Sequence, residues 1–164
     1  MKLVCAWGAL IGALFVVQSS LLPMIAYHGT SADLLLAFVV SFAFLRGSRL
    51  GVLGGFFAGL LQDLATGTFF GTNIFCKMII GYICGAFSNR VFKEQIFLPI
   101  LSVALASALN YLILALLMVL LGYRFDLLVH ASHVLLPMVI YNVLFALPVH
   151  YFVYMMCEWL KEKK

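Results

Sequence analysis

Asp63 and Lys77 are the residues of this chain whose chemistry most needs explaining. Each stands in a long apolar stretch, where a membrane-embedded charge costs about 2.5–3.5 kcal/mol on insertion scales. Asp63 falls 14 residues past Arg49, about 21 Å along a helix, and Lys77 falls 11 residues before Ser88, about 16 Å. Their depths differ by roughly one helical turn. On adjacent helices joined by a short loop, the two are expected to form an ion pair or to share a polar pocket. The competing expectation puts Asp63 in the loop outside the apolar layer and lets Lys77 snorkel to an interface.

Asn110 and Asn142 are placed to hydrogen-bond across helices, typically for about 0.6 kcal/mol and at most about 2. His130 and His133 are three apart, and His150 stands alone near Pro148. With no carboxylate or cysteine at ligand spacing, no metal site is expected. Cys5, Cys76, Cys84 and Cys157 form no CxxC pair and read as small packing residues. No Ser-His-Asp set, HExxH, P-loop or paired carboxylate is present, so neither an enzymatic activity nor a cofactor is expected.

The elements that position these residues follow from composition. Of 164 residues, 65% are hydrophobic and 10% charged, against about 25% charged in globular proteins. The solvent this implies is lipid. Apolar segments at approximately 3–22, 33–45, 50–64, 69–88, 96–121 and 134–158 predict one all-α integral membrane domain of six transmembrane helices. Without porin-like alternation, each segment must satisfy its own backbone and is expected to be helical. Lys2 and the apolar run behind it could open a secretory signal, but no A-x-A site follows, so this run is expected to remain as the first span. Pro137 and Pro148 are expected to kink the sixth.

The net charge of +4 is scattered at segment ends, without the clustered stripe that nucleic acid requires. It reads better as topology. Lys2, Arg46, Arg49, Arg90, Lys93, Lys161, Lys163 and Lys164 all fall at the termini or in alternate loops, while the remaining loops hold only Arg124. Basic residues accumulate on the cytoplasmic side, so both termini are expected to be cytoplasmic. Trp7 and Trp159 would then lie near the inner boundary, with Tyr27 and Tyr123 near the outer one.

The apolar cores of the second and third segments hold only about 12 residues, or about 18 Å of helix against a hydrocarbon layer of about 30 Å. Either they draw polar flanks into the membrane or they form a short hairpin packed on longer helices, leaving a recess. Gly51, Gly55 and Gly59 line one face of the third segment, and Gly8 with Gly12 and Gly81 with Gly85 repeat the spacing. Such faces allow helices to approach at backbone distance, either within the chain or toward a partner protein. Residues 65–73 supply Gly67 and Gly71 for positive φ, with hydroxyls and Asn73 near the next helix start, as a tight turn or as an ordered surface for a partner.

The stretch Asp33-Leu34-Leu35-Leu36, the turn with Arg46 and Arg49, then Gly51-x-x-x-Gly55-x-x-x-Gly59-Leu60-Leu61-Gln62-Asp63-Leu64 and residues 67–73 resemble the bacterial rod shape-determining protein family MreD. The likeness extends along the whole chain in hydropathy and is most specific over residues 33–73. It implies a multi-pass protein of the bacterial inner membrane, associated with the single-span protein MreC and through it with the MreB filament and the peptidoglycan synthases. It also implies a helical fold similar to the substrate-binding subunit of energy-coupling-factor vitamin transporters.

Two functions follow as expectations. In the first, the chain is a non-enzymatic scaffold in which Asp63, Gly59 and Gly67 maintain the outer half of the bundle and a partner helix lies on a small-residue face. In the second, it is a vitamin-binding transporter subunit, with Asp63, Lys77, Asn110 and Asn142 converging on an outward pocket and Ala9-x-x-x-Ala13 facing a coupling partner. The short outer loops, poor in aromatics, favour the scaffold.

Overall fold

A helix that is apolar on every side has no face to give to water, so it must be enclosed by protein or by lipid. Helix α2, Leu34–Arg46, is such a helix, and every residue from Leu34 to Ala43 is buried. In the computed structural model it is the axis of the fold, packed by each of the other five helices: α1 (Lys2–Ser20), α3 (Ser48–Thr66), α4 (Thr72–Phe87), α5 (Phe97–Leu120) and α6 (Leu136–Glu162). A 3₁₀ turn, Leu22–Ile25, follows α1. The structure describes residues 2–26, 30–67, 70–88, 97–122 and 134–162, without the side chains of 2–5, 97–98 and 161–162. Arg90, Lys93, Arg124, His130, His133, Lys163 and Lys164 lie outside the described residues, as do Tyr27, Thr68, Phe69, Tyr123 and the side chains of Lys2, Cys5 and Lys161.

The shortness of α2 is explained by its position. Its 13 residues span about 20 Å, and because protein surrounds it, its ends need not reach the lipid headgroups. The third helix is longer than its apolar core, at 19 residues. It carries Gln62, Asp63 and Thr66 inside the helix, where Thr66 donates its hydroxyl to the Gln62 carbonyl at 2.9 Å. Helices α5 and α6 are the longest, at 24 and 27 residues, and within them 99–120 and 136–160 are long and apolar enough to cross a bilayer. Pro148 lies inside α6, and Pro137 is the second residue of α6, which directly follows a short π-helical stretch at 134–135.

Helices run alternately between two ends. At one end, Trp7 of α1 lies under the Arg46 guanidinium, 5.8 Å from ring centroid to Cζ, and Ser88 donates to the Phe44 carbonyl at 2.6 Å. At the other, the Tyr141 hydroxyl donates to the Ile25 carbonyl at 3.0 Å, joining the start of α6 to the 3₁₀ turn. The outer faces of α5 and α6 expose Leu105, Leu112, Leu116, Ile140, Leu144 and Phe152. Apolar surface of this extent suits lipid and would promote aggregation in water.

Candidate functional site

The first turn of any helix leaves backbone N–H groups without intrahelical acceptors, and at the start of α2 these groups are buried away from water. Side chains from several helices supply what is missing. Asp33, the residue before the helix, accepts the Leu36 N–H on Oδ1 at 2.9 Å, and Gln18 of α1 accepts the Leu35 N–H at 3.1 Å. The Asp33 N–H itself donates to Asn142 Oδ1 of α6 at 2.6 Å. An acidic cap is doubly suited here, because the N-terminal end of a helix carries partial positive charge.

The second carboxylate oxygen of Asp33 meets Lys77 of α4. Nζ lies 2.7 Å from Oδ2, with the lysine side chain fully enclosed. Separating either charge from its partner would leave the other uncompensated in a medium that solvates it poorly, which is why such pairs are costly to break. From Asn142 the network continues, Nδ2 donating to Ser107 Oγ of α5 at 2.7 Å and Ser107 donating to the Val103 carbonyl at 2.7 Å. One connected set of polar groups thus ties α2, α4, α5 and α6 together at the head of the central helix.

Lys77 is therefore not the partner of Asp63, and the expected ion pair is corrected. Asp63 is 1% exposed and inside α3, so the alternative placement in an outer loop is corrected as well, and Lys77 does not snorkel. Asp63 instead caps α4 from the neighbouring helix. Its Oδ2 accepts the N–H groups of Gly71 at 2.9 Å and Ile74 at 3.1 Å, and its Oδ1 accepts Asn73 N–H at 3.1 Å and Asn73 Nδ2 at 2.9 Å. Gly71 holds the N-cap position with φ 101° and offers no side-chain acceptor of its own. The carboxylate eight residues earlier fills that role. Gly67, with φ 63°, ends α3 in the left-handed conformation that glycine adopts without strain.

The glycine face of α3 is occupied by α4. A Cβ at Gly51 would meet the Gly81 carbonyl at 2.5 Å, one at Gly59 would meet Ile74 Cα at 2.5 Å, and one at Gly55 would strike the Lys77 carbonyl group. Gly81 and Gly85 face Gly51 and Ser48 in return. This close approach brings Lys77 and the start of α4 against the core, and it assigns these glycines to packing within the chain. Gly8 and Gly12, by contrast, have nothing within 4 Å of an added Cβ.

Of the residues singled out in the sequence, Asp33, Lys77 and Asn142 come together, while Asp63, Gly67, Gly71 and Asn73 form a second cluster at the α3–α4 turn. Asn110 joins neither; it is buried with no partner for Oδ1 among the described residues. Cys76, Cys84 and Cys157 are buried, with no disulfide among the described residues. Gln18 and Ser107 have no sequence pattern that marks them. Asp33 does: it stands 13 residues before Arg46, about 20 Å, close to the depth of Lys77.

A family model described as rod shape-determining protein MreD matches residues 2–160. Neither a curated protein nor a solved structure matches.

Proposed function

The chain belongs to the rod shape-determining protein MreD family, and from that membership we propose that it acts as a non-enzymatic scaffold of the cell-elongation machinery. In this reading it is a multi-pass protein of the bacterial inner membrane with both termini cytoplasmic. It binds MreC and, through MreC, helps organise the MreB filament and the peptidoglycan synthases. Its helices adopt an arrangement similar to the substrate-binding subunit of energy-coupling-factor transporters, used for assembly instead of ligand capture.

The observation that carries this reading is the engagement of the intramembrane polar groups with one another. Asp33, Lys77, Asn142 and Ser107 are bonded across four helices, and all the bonds to the Asp63 carboxylate come from the start of α4. A transporter subunit needs converging polar groups that a ligand can reach, and three of the four residues expected to play that part turn inward to other helices. What this arrangement supports is a rigid bundle whose product is a complex. The grouping of Trp7, Arg46 and Ser88 at one end agrees with cytoplasmic termini.

Two readouts test the proposal. Expressed in a rod-shaped bacterium depleted of its own MreD together with the cognate MreC, the chain is expected to restore rod growth and to co-purify with MreC. Round cells and an absent complex, with the protein inserted at normal abundance, would reject the scaffold. Release of a vitamin-sized molecule from denatured protein would favour the transporter reading.

A further inference from the structure

Between α1 and α3, above the flank of α2, the surface folds inward into a groove of about 400 Å³. Trp7, Gly8 and Ile11 form one wall, Leu53, Phe57 and Leu61 the other, and Arg46 is the single charged residue lining it among the described residues. Along α3 the groove extends from Leu50 to Leu61, about 16 Å at 1.5 Å per residue. That is about half of the roughly 30 Å hydrocarbon layer, the depth of one leaflet.

Arg46 closes the groove at the end where α2 stops. Its guanidinium lies over the Trp7 ring, and its Nε is buried with no hydrogen-bond partner among the described residues. A buried donor on a permanent cation is costly unless an acceptor reaches it, and a planar guanidinium suits phosphate oxygens. Arg49, three residues on and exposed, adds positive charge at the same end of the bundle. Basic sites at the cytoplasmic ends of helix grooves are known to hold anionic lipid headgroups.

We infer that this groove is a binding site for an anionic phospholipid of the cytoplasmic leaflet, one acyl chain lying between α1 and α3 and the phosphate on Arg46. The side of the membrane rests on the orientation proposed above. The dimensions favour this occupant over a transmembrane helix, which needs about 20 residues and the full thickness of the bilayer.

Trp7 makes the site measurable, because the chain has only two tryptophans and Trp159→Phe leaves Trp7 alone. The full chain is reconstituted in nanodiscs containing phosphatidylglycerol or phosphatidylcholine with brominated acyl chains, and quenching of Trp7 is followed against lipid fraction. Phosphatidylglycerol is expected to quench at about tenfold lower fraction than phosphatidylcholine, because both lipids bring a phosphate to Arg46 but choline adds a cation that offsets it and is repelled by Arg46 and Arg49. Arg46→Gln should abolish this preference. Gly8→Phe, at a position with open space, should fill the groove and reduce quenching by both lipids with the arginine intact.

Equal quenching by the two lipids in the parent protein, or a preference that survives both substitutions, would overturn the site and leave ordinary boundary lipid. Protection of Trp7 by bound MreC, together with loss of MreC from Gly8→Phe, would overturn it in favour of a docked helix. Co-purification of the Arg46→Gln variant with MreC is read separately, so failure of the lipid site and failure of the scaffold reading give different results.

Discussion

Lys77 Nζ and Asp33 Oδ2 are 2.7 Å apart at the buried head of the central helix, 44 residues distant in sequence. The pair joins the helix that needs an acidic cap to α4, whose Lys77 is fully enclosed. Lys77→Met should destabilise the purified protein by about 3–5 kcal/mol, because it strands the carboxylate. The double variant Asp33→Asn, Lys77→Met should lose less than the sum of the two single changes, since neither remaining group is charged. Thermal unfolding in a mild detergent reads the cycle, and strict additivity would show that the two residues do not act as a pair.

Asp63 accepts four hydrogen bonds from the first turn of α4 and its approach. Asp63→Ala removes them all and should cost more than about 3 kcal/mol, given about 1.5–3 kcal/mol for each bond to a charged group and partial compensation. Asp63→Asn keeps one acceptor oxygen and should cost roughly half as much. Amide hydrogen exchange should accelerate at residues 71–74 while Leu36 stays protected. Faster exchange at both helix starts would mean that the substitution loosens the whole bundle.

Two kinds of glycine are distinguished by what surrounds them. At Gly55 an added Cβ would also lie 2.9 Å from the Met78 backbone nitrogen, so Gly55→Ala must push α3 and α4 apart and should cost about 1–3 kcal/mol. At Gly12 the space is open, and Gly12→Ala should be neutral or stabilising by up to about 1 kcal/mol through helix propensity. Melting temperatures of the two variants check the contrast. Equal shifts would refute the close contact of α3 with α4.

Asn142 bridges Asp33 and Ser107. Asn142→Leu should cost about 1–2 kcal/mol, near the upper end for polar contacts between membrane helices, because it leaves the buried Asp33 N–H without an acceptor and takes a donor from Ser107 Oγ. Ser107→Ala should cost less, about 0.6 kcal/mol. A Ser107→Ala loss larger than that of Asn142→Leu would place the centre of the network on α5 instead of α6.

Orientation is tested with single cysteines in a variant whose own cysteines are replaced by alanine. Arg49→Cys and Met24→Cys occupy exposed positions at opposite ends of the bundle. A membrane-impermeant maleimide applied to intact spheroplasts should label the second and leave the first untouched until the membrane is opened. The reverse pattern would invert the topology.

The glycine spacing of α3, the left-handed turns at Gly67 and Gly71, and the presence of charge at Asp63 and Lys77 were all readable from residue types. Their partners were not. Counting along a helix measures depth alone, and Asp33, Asp63 and Lys77 all lie at similar depth, so depth is consistent with either carboxylate as the lysine's partner. The choice belongs to rotation: Asp63 points toward the start of α4, one turn before Lys77, while Asp33 is delivered to Lys77 by the buried α2. Helix α3 takes its polar flank into the helix, the first of the two expectations for its short apolar core. Gln62 and Asp63 interrupt the apolar run, but a polar residue does not end a helix when a neighbouring helix satisfies it.

By itself, then, the sequence determined the solvent and the elements, because burying 65% hydrophobic residues in segments of helical length requires lipid and internally satisfied backbone. Only the tertiary structure decided that a 13-residue helix is the axis, that α3 and α4 close on each other through glycine, and that Asp33 holds Lys77. Those outcomes depend on which helix faces meet, and a face is specified by packing against neighbours far along the chain, which no local pattern records.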